Sequence, residues 1–241
     1  MTRFLASVRD PAEAETVLAA GADIVDFKDP EKGALGAVAP DVIKTCVARI
    51  AGRAPVSATV GDLPMTPDAV AHAVAATAAL GVDDVKLGIL PGGDPMGCFA
   101  ALRALDLRAG LILVFFADAM PAFDPVGAAE AVGARGLMLD TAGKGEGALP
   151  DHMAMDAIAR FVDAGKRAGL MTGLAGALRA PHVASLLALR PDVLGFRGAL
   201  CRDGLRNRGL DPAACRQIRA SIPAEAPANA RFREPHAAAL C

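Results

Sequence analysis

Apolar and polar positions along the chain fall into two alternating patterns. Short runs rich in Val, Ile, Leu and Phe, with alternate side chains pointing opposite ways, are followed by Ala-rich stretches in which apolar residues recur at the helical period. The alternation repeats eight times. It predicts strands over 3–8, 23–28, 56–60, 84–88, 111–117, 136–140, 170–174 and 193–197, and helices over 11–20, 39–50, 67–80, 95–105, 125–132, 153–168, 180–189 and 212–222. Several helices open with Asp-Pro or Thr-Pro, which sets an N-cap oxygen before a proline at the first helical position. Strand starts lie roughly 27 residues apart on average, enough for a helical crossover each time. The expected fold is therefore a single α/β domain over residues 1–222, a closed (β/α)8 TIM barrel, with an irregular Ala-, Pro- and Arg-containing tail over 223–241. An open doubly wound sheet would carry a glycine fingerprint after its first strand, where this chain has SVRDPAE.

Composition agrees with that class and narrows the function. The chain is 53% hydrophobic but only 4% aromatic, so its core is built from aliphatic residues, the material of a parallel sheet under helices. A net charge of -2 and the absence of Trp and Tyr remove the basic field and the stacking platforms of a nucleic-acid binder. The five cysteines, Cys46, Cys98, Cys201, Cys215 and Cys241, show no CxxC spacing, which argues against a disulfide scaffold or a zinc ribbon. The N-terminus meets Arg9 and Asp10 too early for a signal-peptide core, and no apolar run reaches the ~18 residues of a membrane span. A cytoplasmic protein with no membrane partner is expected. Ala-rich helices suit packing against further copies of the chain, so a homo-oligomer is expected too. His72, His152, His182 and His236 match no ligand spacing, and neither metal nor cofactor is predicted.

A barrel of this kind works at the C-terminal ends of its strands. There the second strand ends in Asp26 and Lys28 on one face with Ile24, while Val25 and Phe27 face the other way. The fourth strand, DDVKLG, puts Asp84, Lys86 and Gly88 on one face by the same parity. Only six of the 25 basic residues are lysines, so two of six lie at barrel-strand ends. An ammonium is costly to desolvate there, which favours the neutral amine, a nucleophile or a general base. The plainer alternative is that Lys28 and Lys86 pair with Asp26 and Asp84 and hold the barrel rim. Asp62, Asp118 and Asp140 close strands or open loops, where an Asp orients a lysine, relays a proton or simply caps a turn. The seventh and eighth strands end in GLAGAL and GFRGAL. Gly173, Ala175, Gly176 and Gly198 there allow close approach of backbone to a phosphate, with Arg197 as a bidentate partner. Arg202, Arg206 and Arg208 follow, suited to a second phosphate or to solvent.

Taken in order, GADIVDFKDPEKGALGA, SATVGDLP, DDVKLG, MLDTAGKGEG, GLAGAL and GFRGALCRDGLRNRG resemble the (5-formylfuran-3-yl)methyl phosphate synthase family over roughly residues 20–210. The resemblance implies a TIM-barrel lyase that condenses two molecules of glyceraldehyde 3-phosphate, with loss of phosphate and water, for methanofuran- or methylofuran-type one-carbon carriers. It implies Lys28 as the Schiff-base lysine, Lys86 as the proton-transferring lysine and Asp26 beside the imine. It also makes Lys144 a third family lysine. Asp140 is expected to help hold the lysines in reactive geometry. The loop GILPGGDP is shorter than the family pattern, and the C-terminal tail is additional. The alternatives are a lysine-dependent aldolase acting on another phosphorylated carbonyl compound, and a non-catalytic barrel that binds a phosphorylated metabolite.

Overall fold

The computed structural model of the chain describes residues 1–143 and 145–223; Lys144 and the tail from residue 224 onward lie outside the described residues. Eight parallel strands close into a barrel in sequence order, with β8 pairing back to β1. The strands are β1 Arg3–Val8, β2 Ile24–Phe27, β3 Val56–Thr59, β4 Asp84–Ile89, β5 Gly110–Phe116, β6 Gly136–Asp140, β7 Met171–Leu174 and β8 Val193–Phe196. Between and after them run α1 Pro11–Ala19, α2 Pro40–Ile50, α3 Pro67–Ala78, α4 Pro95–Arg103, α5 Pro125–Ala131, α6 Leu149–His152, α7 Met155–Arg167, α8 Ala180–Ala188 and α9 Pro212–Ser221. The strand and helix order is the expected one, with ends shifted by one or two residues. The four-residue α6 is additional and sits in the loop after β6.

Helix starts follow the local chemistry. Asp10 accepts a hydrogen bond from Glu13 N at 2.9 Å, Asp94 from Gly97 N at 2.9 Å and Asp211 from Ala213 N at 2.8 Å, each ahead of a proline at the first helical position. Thr66, expected to act likewise before Pro67, makes no capping bond with its side chain. At the opposite ends of the strands a second device recurs. The aspartate preceding a strand accepts a backbone N–H from the neighbouring strand. Asp23 takes Phe4 N at 2.7 Å, Asp83 takes Val56 N at 2.8 Å and Asp192 takes Thr172 N at 2.8 Å. Each ties adjacent strands at the base of the barrel, away from the loops that carry chemistry.

Strand parity divides the interior into two cores. Phe4, Val25, Phe27, Val85, Leu87 and Phe115 face outward and fill the layer between sheet and helices. Leu5, Ile24, Leu35, Ile112, Val114, Phe116 and Met138 fill the barrel itself. Phe4, Phe27, Phe115 and Phe116 are completely buried, each stabilising the fold by ~1.5–3 kcal/mol relative to exposure. The inner core is apolar only up to the level of Ser7, Asp26 and Ser57. Parallel register places Asp26 between Ser7 and Ser57, and Thr59 beside Lys86. Above the aliphatic plug lies a polar layer.

Candidate active site

The polar layer is organised around Asp26, whose side chain is inaccessible to solvent. One carboxylate oxygen accepts from Ser7 Oγ at 2.9 Å; the other accepts from Ser57 Oγ at 2.7 Å and Lys86 Nζ at 3.0 Å. Burial by itself raises the pKa of such a carboxyl. The nearby Lys86 and Lys28 charges and the hydrogen bonds from Ser57 and Lys86 outweigh it and hold Asp26 below the usual carboxylate range. Lys28, one residue past the end of β2, turns to the other side and meets Asp140 at 3.4 Å from Nζ to Oδ2. Asp140 Oδ1 accepts the Thr141 backbone N–H at 2.7 Å, which fixes its orientation. Lys28, Lys86, Asp26 and Asp140 are all buried, none more than 7% exposed.

The pairing differs from the plain alternative of Lys28 with Asp26 and Lys86 with Asp84. Asp84 is at the first residue of β4, near the barrel base, where it meets Arg135 at 2.7 Å. Lys86, two residues on and one level higher, is thereby left to Asp26. Each lysine is held by an aspartate from another strand. Both lysines and Asp140 line a cavity of about 260 Å³ at the barrel mouth, together with Ser7, Ala175, Gly176, Arg179, Gly198 and Arg206. That is near the lower end of the ~300–1,000 Å³ usual for ligand pockets, a size for small metabolites.

Of the residues expected to bind phosphate, Ala175, Gly176 and Gly198 lie on the cavity wall, at the ends of β7 and β8. Gly176 has φ of 98°, and a Cβ there would sit 2.9 Å from Thr141 Cγ2, so glycine is required for this turn. Four other expectations change. Gly173 lies lower inside the barrel, where a Cβ would come within 2.5 Å of Met138 Cγ; it makes room for Met138. Asp62 accepts the backbone N–H groups of Ala34 at 2.6 Å and Leu35 at 2.9 Å, and so fastens the loop after β2. Asp118 accepts those of Ala142 at 2.8 Å and Gly143 at 2.7 Å and fastens the loop after β6. Burial pushes the Asp118 carboxyl up, but these two N–H groups carry it below the usual range. Neither aspartate lines the cavity.

Arg197 is the largest revision. It borders the cavity, but its guanidinium is only 7% exposed as a residue and is turned into the wall. Nη1 and Nη2 grip the buried Glu13 carboxylate, the second at 3.1 Å. Nε donates to Arg206 O at 3.1 Å, Nη1 to Ser7 O at 3.2 Å and Nη2 to Arg208 O at 3.4 Å. All five N–H groups thus meet protein acceptors, leaving none for a phosphate. Arg197 and Glu13 tie the loop after β8 to the start of α1. Ser7, Ser57 and Glu13 are the site residues that reading the sequence missed. The signal for the serines was small polar residues at inward positions of β1 and β3, in register with Asp26.

Comparison with known proteins decides the family. The family model described as 4-HFC-P synthase matches residues 4–219. A relative from Methylorubrum extorquens is 43% identical over 215 residues, covering 89% of each chain.

This chain belongs to the 4-HFC-P synthase family.

A relative from Methanopyrus kandleri, named (5-formylfuran-3-yl)methyl phosphate synthase, is 35% identical over 219 residues, 86% of this chain and 92% of its own. Among solved structures, 3-hexulose-6-phosphate synthase superposes with a TM-score of 0.61 at 19% identity, over 92% of this chain and all of the other. That likeness is one of fold. As a member of the 4-HFC-P synthase family the protein is an enzyme, and the cavity described above is where its barrel brings ionisable side chains together. No helix among the described residues is long and apolar enough to cross a membrane.

Proposed function

We propose that the protein is a Schiff-base lyase that converts two glyceraldehyde 3-phosphate molecules into (5-formylfuran-3-yl)methyl phosphate, one inorganic phosphate and two waters. The observation that carries this reading is the pair of buried lysines in one cavity, each on a separate aspartate: Lys28 with Asp140 at 3.4 Å and Lys86 with Asp26 at 3.0 Å. An imine mechanism needs one amine as nucleophile and a second group to move protons, and two lysines in one cavity can divide those tasks. The Lys28 amine adds to the aldehyde carbon of one triose phosphate and loses water to form an iminium, an electron sink for the adjacent carbon. Lys86 takes the proton from that carbon. The resulting enamine expels the phosphate from the next carbon along, and the enol left behind supplies the carbon nucleophile for aldol addition to the second triose phosphate, which is first isomerised from aldehyde to ketone by proton transfer so that the new bond forms at its central carbon and places the phosphate-bearing CH2 at position 3 of the furan. Ring closure, dehydration and hydrolysis of the imine release the furan and return Lys28.

The protein's own groups fit these steps. Asp140 holds Lys28 at the strand end with its amine toward the cavity, and Asp26 carries the negative charge beside which Lys86 gains and gives up its proton. The backbone at Ala175, Gly176 and Gly198 offers a close approach to a phosphate where barrels of this type bind one. Lys144, outside the described residues, is left with the role that the family resemblance implies. This assignment puts the enzyme in the synthesis of methanofuran-type one-carbon carriers.

The test is borohydride trapping with glyceraldehyde 3-phosphate, peptide mass spectrometry to locate the reduced adduct, and assay of a parallel unreduced sample for phosphate and a furan aldehyde. An adduct on Lys28, lost in Lys28→Arg, together with both products is expected. Phosphate retention with an adduct would instead mean an ordinary aldolase. Neither adduct nor product would leave a binding barrel.

A further inference from the structure

The cavity contains a cation that the imine chemistry does not use. Arg206 lies in the loop between β8 and α9 and lines the same cavity as Lys28, Lys86 and Asp140. It is half-buried, and one of its terminal nitrogens donates to Gly33 O at 2.8 Å across the mouth. No carboxylate among the described residues comes close enough to form an ion pair with it. Burial lowers its pKa, partly offset by the charges of Asp140 and Asp62. A guanidinium offers five N–H groups in a planar fork, and half-burying it with one hydrogen bond to the described residues leaves donors that an anion would complete.

The neighbouring arginines are differently occupied. Arg197 has all its donors on Glu13 and backbone carbonyls. Arg208 pairs with Asp203 at the surface, and Arg202 is exposed. Arg179 is on the exposed rim and donates to Gly204 O at 3.3 Å. The backbone that carries Arg206 is clamped, because Arg197 Nε holds the Arg206 carbonyl at 3.1 Å and Arg197 Nη2 holds the Arg208 carbonyl at 3.4 Å. The side chain therefore leaves a fixed point and spans from the β8 loop to the β2 loop.

We infer that Arg206, and not Arg197, is the guanidinium that binds a phosphate monoester in this cavity, as an anion subsite on the side of the mouth formed by the β2 and β8 loops. Two oxygens of a phosphate match the fork geometry. This inference rests on the proposed phosphorylated substrate. It gives the second triose phosphate an anchor separate from the backbone turns after β7 and β8.

Calorimetric titration with inorganic phosphate tests it on the wild type, Arg206→Ala, Arg206→Lys and Arg202→Ala, with thermal melts to verify folding and furan assays alongside. Arg206→Ala is expected to weaken phosphate binding about tenfold to a hundredfold and to raise KM for glyceraldehyde 3-phosphate, the loss of a charge-assisted contact. Arg206→Lys recovers part of the affinity, and Arg202→Ala binds phosphate as the wild type does. Folded Arg206→Ala protein that binds phosphate within about twofold of the wild type overturns the subsite. The two readings fail separately. A wild type that makes no furan yet loses phosphate binding on Arg206→Ala keeps the subsite and sinks the synthase mechanism; furan formation with an unchanged KM in Arg206→Ala does the reverse.

Discussion

Replacing Asp26 by Asn tests the polar layer most directly. The substitution keeps the shape and removes one charge. In the wild type that carboxylate, with no exposed surface, accepts from Ser7 at 2.9 Å, Ser57 at 2.7 Å and Lys86 at 3.0 Å. In the variant the Lys86 ammonium, 4% exposed as a side chain, loses its counter-charge, and the new amide N–H₂ faces donors. Removing one partner of a buried pair costs about 3–5 kcal/mol, a large share of the ~5–15 kcal/mol that holds a typical domain together. The pH dependence has a definite sign. The folded-state pKa of Asp26 is lowered, so its contribution is fully present above the unfolded carboxylate value of ~3.9 and disappears as pH falls through the folded value. Urea unfolding at pH 7 should therefore show the full loss in Asp26→Asn. As pH falls below about 4 and through the lowered folded-state pKa, the gap between wild type and variant should narrow. Adding Lys86→Met to Asp26→Asn removes the orphaned ammonium and should recover part of the loss, a coupling of about 0.5–3 kcal/mol. A loss below ~1 kcal/mol at pH 7, or strictly additive single and double variants, would refute the argument that Asp26 and Lys86 act as a buried charge pair.

Three further outcomes follow from the revised roles. Glu13→Gln leaves the buried Arg197 guanidinium without its carboxylate, and scanning calorimetry should find the melting temperature lower by about 6–20 °C, from ~3–5 kcal/mol at ~2–4 °C each; an unchanged melt would mean the pair does not brace the β8 loop. Gly173→Ala drives a methyl against Met138 and should cost about 1–3 kcal/mol in denaturant melts while phosphate affinity stays as it was, the opposite of what a phosphate-binding glycine would show. The thiols of Cys46 and Cys215 are pushed up to about 11 by burial, so at pH 7.5 iodoacetamide should leave both unmodified in the native protein and label them once it is unfolded; rapid native labelling would contradict that burial.

Local features of the chain were enough for the frame. Val25 and Phe27 alternate with Ile24, Asp26 and Lys28, and the same alternation recurs at β4, so the inward-facing lysines were readable from parity alone. Asp-Pro steps marked where helices begin. The motifs pointed to the 4-HFC-P synthase family, which the family match over residues 4–219 shows. What parity could not supply was partnership. Asp26 meets Lys86 from 60 residues away, and Lys28 meets Asp140 from 112 residues away; both pairings depend on how neighbouring strands register and how far across the barrel each side chain reaches. Nor does a local sequence reveal what saturates a donor. GFRGAL suggests an arginine beside a phosphate, but Glu13, 184 residues earlier in the chain, takes that guanidinium. Asp62 and Asp118 look like loop-end acids for the same reason, until the backbone N–H groups they hold come into view. The sequence by itself determined the barrel, the inward faces and the lysines, because these follow from short-range periodicity and side-chain chemistry. Only the tertiary structure decided which charges pair, which are spent on bracing loops and which face the cavity, because those outcomes depend on distances set by closing the barrel.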